Sequence, residues 1–186
     1  MNHEPRTPPP LHLILGGARS GKSRYAEQLA DQLGRRVLYV ATAEANDAEM
    51  AARIAAHRQA RPPDWQTLEA PLDVGAQLAG LSQRPEVILL DCLTLLVTNI
   101  MLQQEADPPQ TIETALQAEL AAILAAQAKL ACPLIVVSNE VGLGLVPPYP
   151  LGRLFRDLAG RANQYLAARA DQVLFMVAGL PMTVKG

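Results

Sequence analysis

Aromatic residues are scarce. Two Phe, one Trp and four Tyr make up 4% of 186 residues, so the interior must come from Leu, Val, Ile and Ala. A stacking platform for nucleic-acid bases needs more rings than this chain supplies. An excess of positive charge is also missing: sixteen Lys and Arg face eighteen Asp and Glu, a formal charge of −2. That balance gives no general pull toward DNA, RNA or acidic membranes, and nucleic acid is not an expected partner. Only two cysteines occur, Cys92 and Cys132, both inside apolar segments and without CxxC spacing. They are expected to be reduced, buried thiols of a cytoplasmic protein rather than a disulfide or a zinc site. No uncharged apolar run approaches the roughly 18 to 20 residues of a membrane span. Residues 1–10 carry four prolines and one Arg and no apolar centre, so they read as a disordered lead-in rather than a signal peptide.

What is present is a globular composition, 49% hydrophobic against 18% charged, which excludes a disordered chain. The length fits one domain, taken as residues 11–186. Short, branched-aliphatic runs at Leu11–Leu15, Arg36–Thr42, Val87–Asp91, Leu134–Ser138 and Gln172–Val177 read as buried parallel strands, because they hardly alternate with polar residues. Helical periodicity falls between them at Ser20–Leu33, Ala45–Ala60, Thr111–Leu130 and Leu151–Ala170. Strands alternating with helices predict a three-layer α/β fold with a mostly parallel sheet. Arg61–Pro71 and Gly142–Pro150 read as loops.

Gly16, Gly17, Ala18, Arg19, Ser20, Gly21, Lys22 and Ser23 match the phosphate-loop pattern G-x-x-x-x-G-K-[ST] without a mismatch. The context fits as well, since the run follows a predicted strand and opens a predicted helix. Backbone N–H groups there can wrap phosphates, and the helix N-terminus adds favourable partial charge. Lys22 would bridge phosphate oxygens, and the Ser23 hydroxyl would ligate Mg²⁺. A second magnesium-side group is expected at the end of another apolar strand, where Asp91 stands; the alternative is a cap on the following helix. Ser138-Asn139-Glu140-Val141 departs from the N-K-x-D element of guanine-specific switches, which argues against a regulatory GTPase.

Three histidines occur. His3 falls in the lead-in, and His12 lies in the first strand with a structural role expected. His57 lies on a predicted helix with Arg53 and Arg61 four residues to either side and Arg58 adjacent. Positive neighbours favour a neutral, nucleophilic imidazole and can hold phosphates against the ring. Taken alone, the same pattern also describes a solvated helix face.

Read together, the phosphate loop, the 37–43 strand, the 47–58 segment with His57, and the runs 61–71, 91–99, 138–147 and 155–164 become specific. This combination resembles the bifunctional adenosylcobinamide kinase/adenosylcobinamide-phosphate guanylyltransferase family of cobalamin biosynthesis, from about Leu11 to the C-terminus. The resemblance implies a RecA-like P-loop fold and two reactions. ATP or GTP phosphorylates the aminopropanol hydroxyl of adenosylcobinamide; GTP then donates GMP through a histidine to adenosylcobinamide phosphate. By position, the resemblance makes His57 the nucleophile. It puts GTP contacts on Gly17–Ser23, on Ala41, Thr42 and Ala43, on Arg58, Gln59, Ala60 and Arg61, and on Glu69 and Asp91. It also implies a homo-oligomer, commonly a trimer. Where some members carry a second histidine just before the reactive one, this chain has Ala56. Asn139–Pro150 with Arg153, Arg156 and Arg161 are candidates for the corrinoid side and for subunit contacts. The competing readings are a monofunctional small-molecule kinase and a non-enzymatic NTP-dependent switch.

Overall fold

The computed structural model describes residues 9–44 and 62–186. The strands are β1 (Leu11–Gly16), β2 (Val37–Ala41), β3 (Gln66–Glu69), β4 (Val87–Asp91), β5 (Leu134–Asn139), β6 (Gln172–Val177) and β7 (Leu180–Lys185). They form one seven-stranded sheet in the order β3-β2-β4-β5-β1-β6-β7. Every neighbouring pair is parallel except β6 and β7. The helices are α1 (Lys22–Leu33), α2 (Val74–Ala79), α3 (Leu93–Gln103), α4 (Pro109–Leu130) and α5 (Pro150–Arg169).

The two faces of the sheet explain its near-continuous hydrophobic strands. In β4, Ile88 and Leu90 join one buried cluster, whereas Val87 and Leu89 join another. The first cluster receives Leu96, Ile100, Leu120, Ile123, Leu158 and Leu166 from α3, α4 and α5. The second receives Ala26 and Ala30 from α1, with Tyr39, Trp65 and Met176. A strand covered on both faces has no polar side, so the period-2 signal vanishes. The expected three-layer α/β architecture is what forms.

All five predicted strands occur, each within a residue or so of its expected ends. Three of the predicted helices occur as well, with ends within two residues of those expected. The fourth, Ala45–Ala60, lies outside the described residues, as do residues 1–8 of the expected lead-in. Pro9 and Pro10 are held in place, since their carbonyls accept from Gln127 Nε2 at 3.0 and 3.1 Å.

Three elements were not expected, β3, α2 and β7, and α3 was expected only as a helix following Asp91, without bounds. β3 lies within the presumed Arg61–Pro71 loop; it is an edge strand whose Gln66, Thr67 and Glu69 are exposed, so it carries no hydrophobic run. α2 is too short to show a helical period. α3 follows β4 after one residue, and its apolar residues merge with the strand's. β7 is exposed along its whole length and holds Pro181, which an edge strand tolerates.

Candidate active site at the carboxyl edge of the sheet

Six strands run parallel, so their C-terminal ends (Gly16, Ala41, Glu69, Asp91, Asn139 and Val177) share one edge. That edge is where open α/β sheets bind ligands. The phosphate loop rises from β1 into α1. Gly21 is the α1 N-cap with φ 93, in the left-handed region that favours glycine. A Cβ there would also stand 3.1 Å from Gly179 Cα, a tight approach that adds to the unfavourable φ.

Lys22 is only 7% exposed, and its Nζ donates to Gly17 O at 2.6 Å, folded back across the loop. Burial lowers its pKa below the usual lysine range, and the charges of Cys92 and Asp91 oppose the shift. Ser20 Oγ is buried in the same loop and has no hydrogen-bond partner among the described residues. Buried hydroxyls are normally satisfied, so this one marks a cradle suited to an anion's oxygen atoms. Ser23 lies on the first turn of α1.

Asp91 ends β4, in register with Ala41 of β2, which pairs on its other side with Glu69 of β3. Tyr39 Oη donates to Asp91 Oδ2 at 3.0 Å. The helix-cap alternative for Asp91 is not what forms: the N-cap of α3 is Cys92. Ser23 and Asp91 offer the hard oxygen donors that Mg²⁺ prefers, so the residues present fit that ion.

Thr42 is fully buried and turns its hydroxyl to β4, donating to Cys92 O at 2.7 Å and accepting from Cys92 N at 2.9 Å. Asn99 Nδ2 on α3 donates to Thr42 O and to Pro71 O, each at 2.9 Å. The two ends of the excursion that leaves β2 and returns beyond β3 are thus clasped by one amide. Asn139 Nδ2 donates to Thr94 Oγ1 at 3.0 Å, and Thr94 Oγ1 lies 3.1 Å from Cys92 Sγ. Asn163 accepts from Ser138 Oγ at 2.7 Å and donates to Asn139 O at 3.2 Å. These polar groups fasten the ends of β2, β4 and β5 to α3 and α5. Sequence reading missed their roles, although Asn99, Asn139 and Asn163 all lie inside the segments that carry the family resemblance.

The phosphate-loop residues, Ala41, Thr42, Ala43, Glu69 and Asp91 therefore gather along one edge. His57, Arg58, Gln59, Ala60 and Arg61 lie outside the described residues. His12 has the structural surroundings expected of it, with Nδ1 3.2 Å from Gln172 Oε1. Three arginines considered for the corrinoid side are engaged within the chain. Arg153 donates to Pro147 O and Pro148 O, Arg156 to Gly142 O, and Arg161 pairs with Glu113. Arg153 and Arg156 thereby hold the Gly142–Pro150 loop in shape. Both cysteines are free, and burial pushes both thiols up. No helix among the described residues is long and apolar enough to cross a membrane.

The sequence model of the cobinamide kinase / cobinamide phosphate guanyltransferase family matches residues 12–184. The chain belongs to this family. It is 49% identical to the bifunctional adenosylcobalamin biosynthesis protein CobP of Pseudomonas aeruginosa, over 94% of this chain and 96% of that protein. It is 43% identical to the bifunctional adenosylcobalamin biosynthesis protein CobU of Escherichia coli, over 93% and 98% respectively. Among solved structures, a RadB recombinase superposes with TM-score 0.51 at 17% identity, covering 90% of this chain and 74% of that one. That likeness shows the RecA-like fold. The cobinamide kinase / guanyltransferase family thus accounts for nearly the whole chain, phosphate loop and Asp91 strand included.

Proposed function

We propose that the protein phosphorylates the aminopropanol hydroxyl of adenosylcobinamide with ATP or GTP. It then carries GMP from GTP to adenosylcobinamide phosphate, giving adenosylcobinamide-GDP. The observation that carries this reading is the family match across residues 12–184, whose two named activities both need a gripped nucleotide. Residues 11–186 act as one domain that supplies one such grip, the loop Gly16–Ser23 beside Asp91.

In the kinase step the substrate hydroxyl attacks the γ-phosphorus and the nucleoside diphosphate leaves. Loop N–H groups and Lys22 hold the charge that builds on the phosphate oxygens. In the second reaction a ring nitrogen of His57 attacks the α-phosphorus of GTP and pyrophosphate leaves, forming a guanylyl-histidine. A phosphate oxygen of adenosylcobinamide phosphate then attacks that phosphorus and frees His57. The covalent stage divides one hard displacement into two easier ones. Ser23 and Asp91 would hold Mg²⁺, which when bound neutralises charge on the phosphate oxygens. Glu69, Ala41–Ala43 and Arg58–Arg61 contact the GTP. The enzyme acts in the cytoplasm as a homo-oligomer, a trimer by family resemblance, which light scattering would check.

The deciding experiment supplies adenosylcobinamide, GTP and Mg²⁺ and weighs the products. A phosphorylated corrinoid followed by its GDP form supports the reading. A phosphorylated corrinoid alone reduces the protein to a kinase. α-Labelled GTP should leave a protein adduct that is stable in alkali and lost in acid.

A further inference from the structure

The two proposed reactions strike opposite ends of a triphosphate, γ in one and α in the other, while one loop grips it in both. Strand order fixes what lies on each side of that loop. From β1 the sheet runs through β5 to β4, where Asp91 stands, and on to β2 and β3. The connection between β2 and β3 carries His57. On the other side of β1 there are only β6 and β7. A nucleotide that lies along this edge with its γ-phosphate turned toward Asp91 carries its α-phosphate, ribose and base over the end of β6.

The chain there is built against the loop. The β6–β7 turn is Ala178-Gly179, with φ 51 and 83, and Gly179 N donates to Ser20 O at 3.0 Å. Beside the turn, Val177 pairs with Leu180 and Phe175 with Met182, which puts Val177, Leu180 and Met182 on one face of the hairpin. They are 46, 70 and 57% exposed. Contiguous apolar side chains left in water beside a phosphate cradle mark a binding surface. Residues 177–182 (Val, Ala, Gly, Leu, Pro, Met) offer no polar side chain to read a base edge. Such a surface takes a purine by its flat apolar face and does not distinguish adenine from guanine.

We propose that the Ala178-Gly179 turn with Val177 and Leu180 is the purine subsite of the kinase step. When GTP guanylylates His57, the nucleotide lies in the opposite sense along the same loop, with its base toward β2 and β3. This rests on the two-reaction reading above, and the test separates the two.

The intact protein is photolabelled with 8-azido-ATP, and separately with 8-azido-GTP without corrinoid, and the crosslinks are mapped by mass. The expected result is an ATP-competed crosslink from 8-azido-ATP in the tryptic peptide Ala170–Lys185 and, in protein that carries the 8-azido-GMP adduct and has been freed of unbound nucleotide, a crosslink from the adduct's base outside that peptide. A crosslink from the adduct's own base to Ala170–Lys185 overturns the reversal. An 8-azido-ATP crosslink elsewhere, or none that ATP competes, overturns the subsite. Intact mass reports the GMP adduct in parallel. If no adduct forms while Ala170–Lys185 is still labelled, the two-reaction reading fails and the subsite stands. Leu180→Asp, at an exposed position, should raise the KM for ATP about tenfold with kcat little changed. An unaltered KM in the folded variant counts against the subsite.

Discussion

Tyr39 donates a hydrogen bond to the carboxylate of Asp91 across the β2–β4 pair, 3.0 Å from oxygen to oxygen. Tyr39 is 3% exposed and packed against α1, so its phenol is a rigid support for the group proposed to hold Mg²⁺. Partners of this kind orient a ligand, and losing one typically weakens metal affinity about tenfold or more. Tyr39→Phe keeps the ring and removes only the hydroxyl. The Mg²⁺ concentration for half-activation should rise by about that factor at saturating nucleotide. Titrating Mg²⁺ against the kinase rate checks this, and an unchanged curve would detach Tyr39 from the metal.

Lys22→Ala should impair both reactions, because the same loop holds the triphosphate in each. Loss of a positioned charge on phosphate oxygens costs about 3 kcal/mol, on the order of a hundredfold in rate. Rates of corrinoid phosphorylation and of GMP labelling, measured on the same preparation, test it. Wild-type rates in either one would break the shared-site model.

The core strands were legible because short, unbroken runs of branched aliphatic residues suit a strand covered on both faces and little else. The phosphate loop was legible because its glycines, Lys22 and Ser23 sit between strand and helix. Asp91 stood out as the charged end of an apolar run. The polar clasp did not. Asn99, Thr94 and Asn163 lie on helices, and only the fold shows that they reach Thr42, Asn139 and Ser138. β3 and β7 were missed for a related reason. Edge strands lack one neighbour and, here, most of their burial, so nothing in their composition demands an apolar run.

Glu119 on α4 accepts from Gly75 N at the start of α2, at 2.9 Å, and burial raises its carboxyl above the ordinary range. A folded-state pKa above the unfolded one gives stability that is full below the unfolded value and lost as pH rises through the folded value. Glu119→Gln keeps an acceptor for Gly75 and removes the buried charge. Relative to wild type, the variant's Tm should therefore gain as pH rises from about 4.5 toward neutrality. Thermal melts across that range measure it; a constant difference would mean that Glu119 is ionised equally in both states.

His57 separates the two activities, because transfer through a covalent intermediate needs a nucleophile and direct in-line phosphorylation does not. His57→Ala should abolish both the GMP adduct and the formation of adenosylcobinamide-GDP while leaving adenosylcobinamide phosphorylation measurable. His57→Asn, nearer in size and without a nucleophilic ring nitrogen, should behave in the same way, which distinguishes lost chemistry from lost packing. In wild type the adduct should map to His57, survive alkali and be released by acid, as a phosphoramidate is. An adduct on another residue, or full guanylyltransferase activity in His57→Ala, would reassign the nucleophile. Equal loss of both activities would instead make this histidine a nucleotide-positioning group, since a hydroxyl attacking the γ-phosphorus has no use for a second nucleophile.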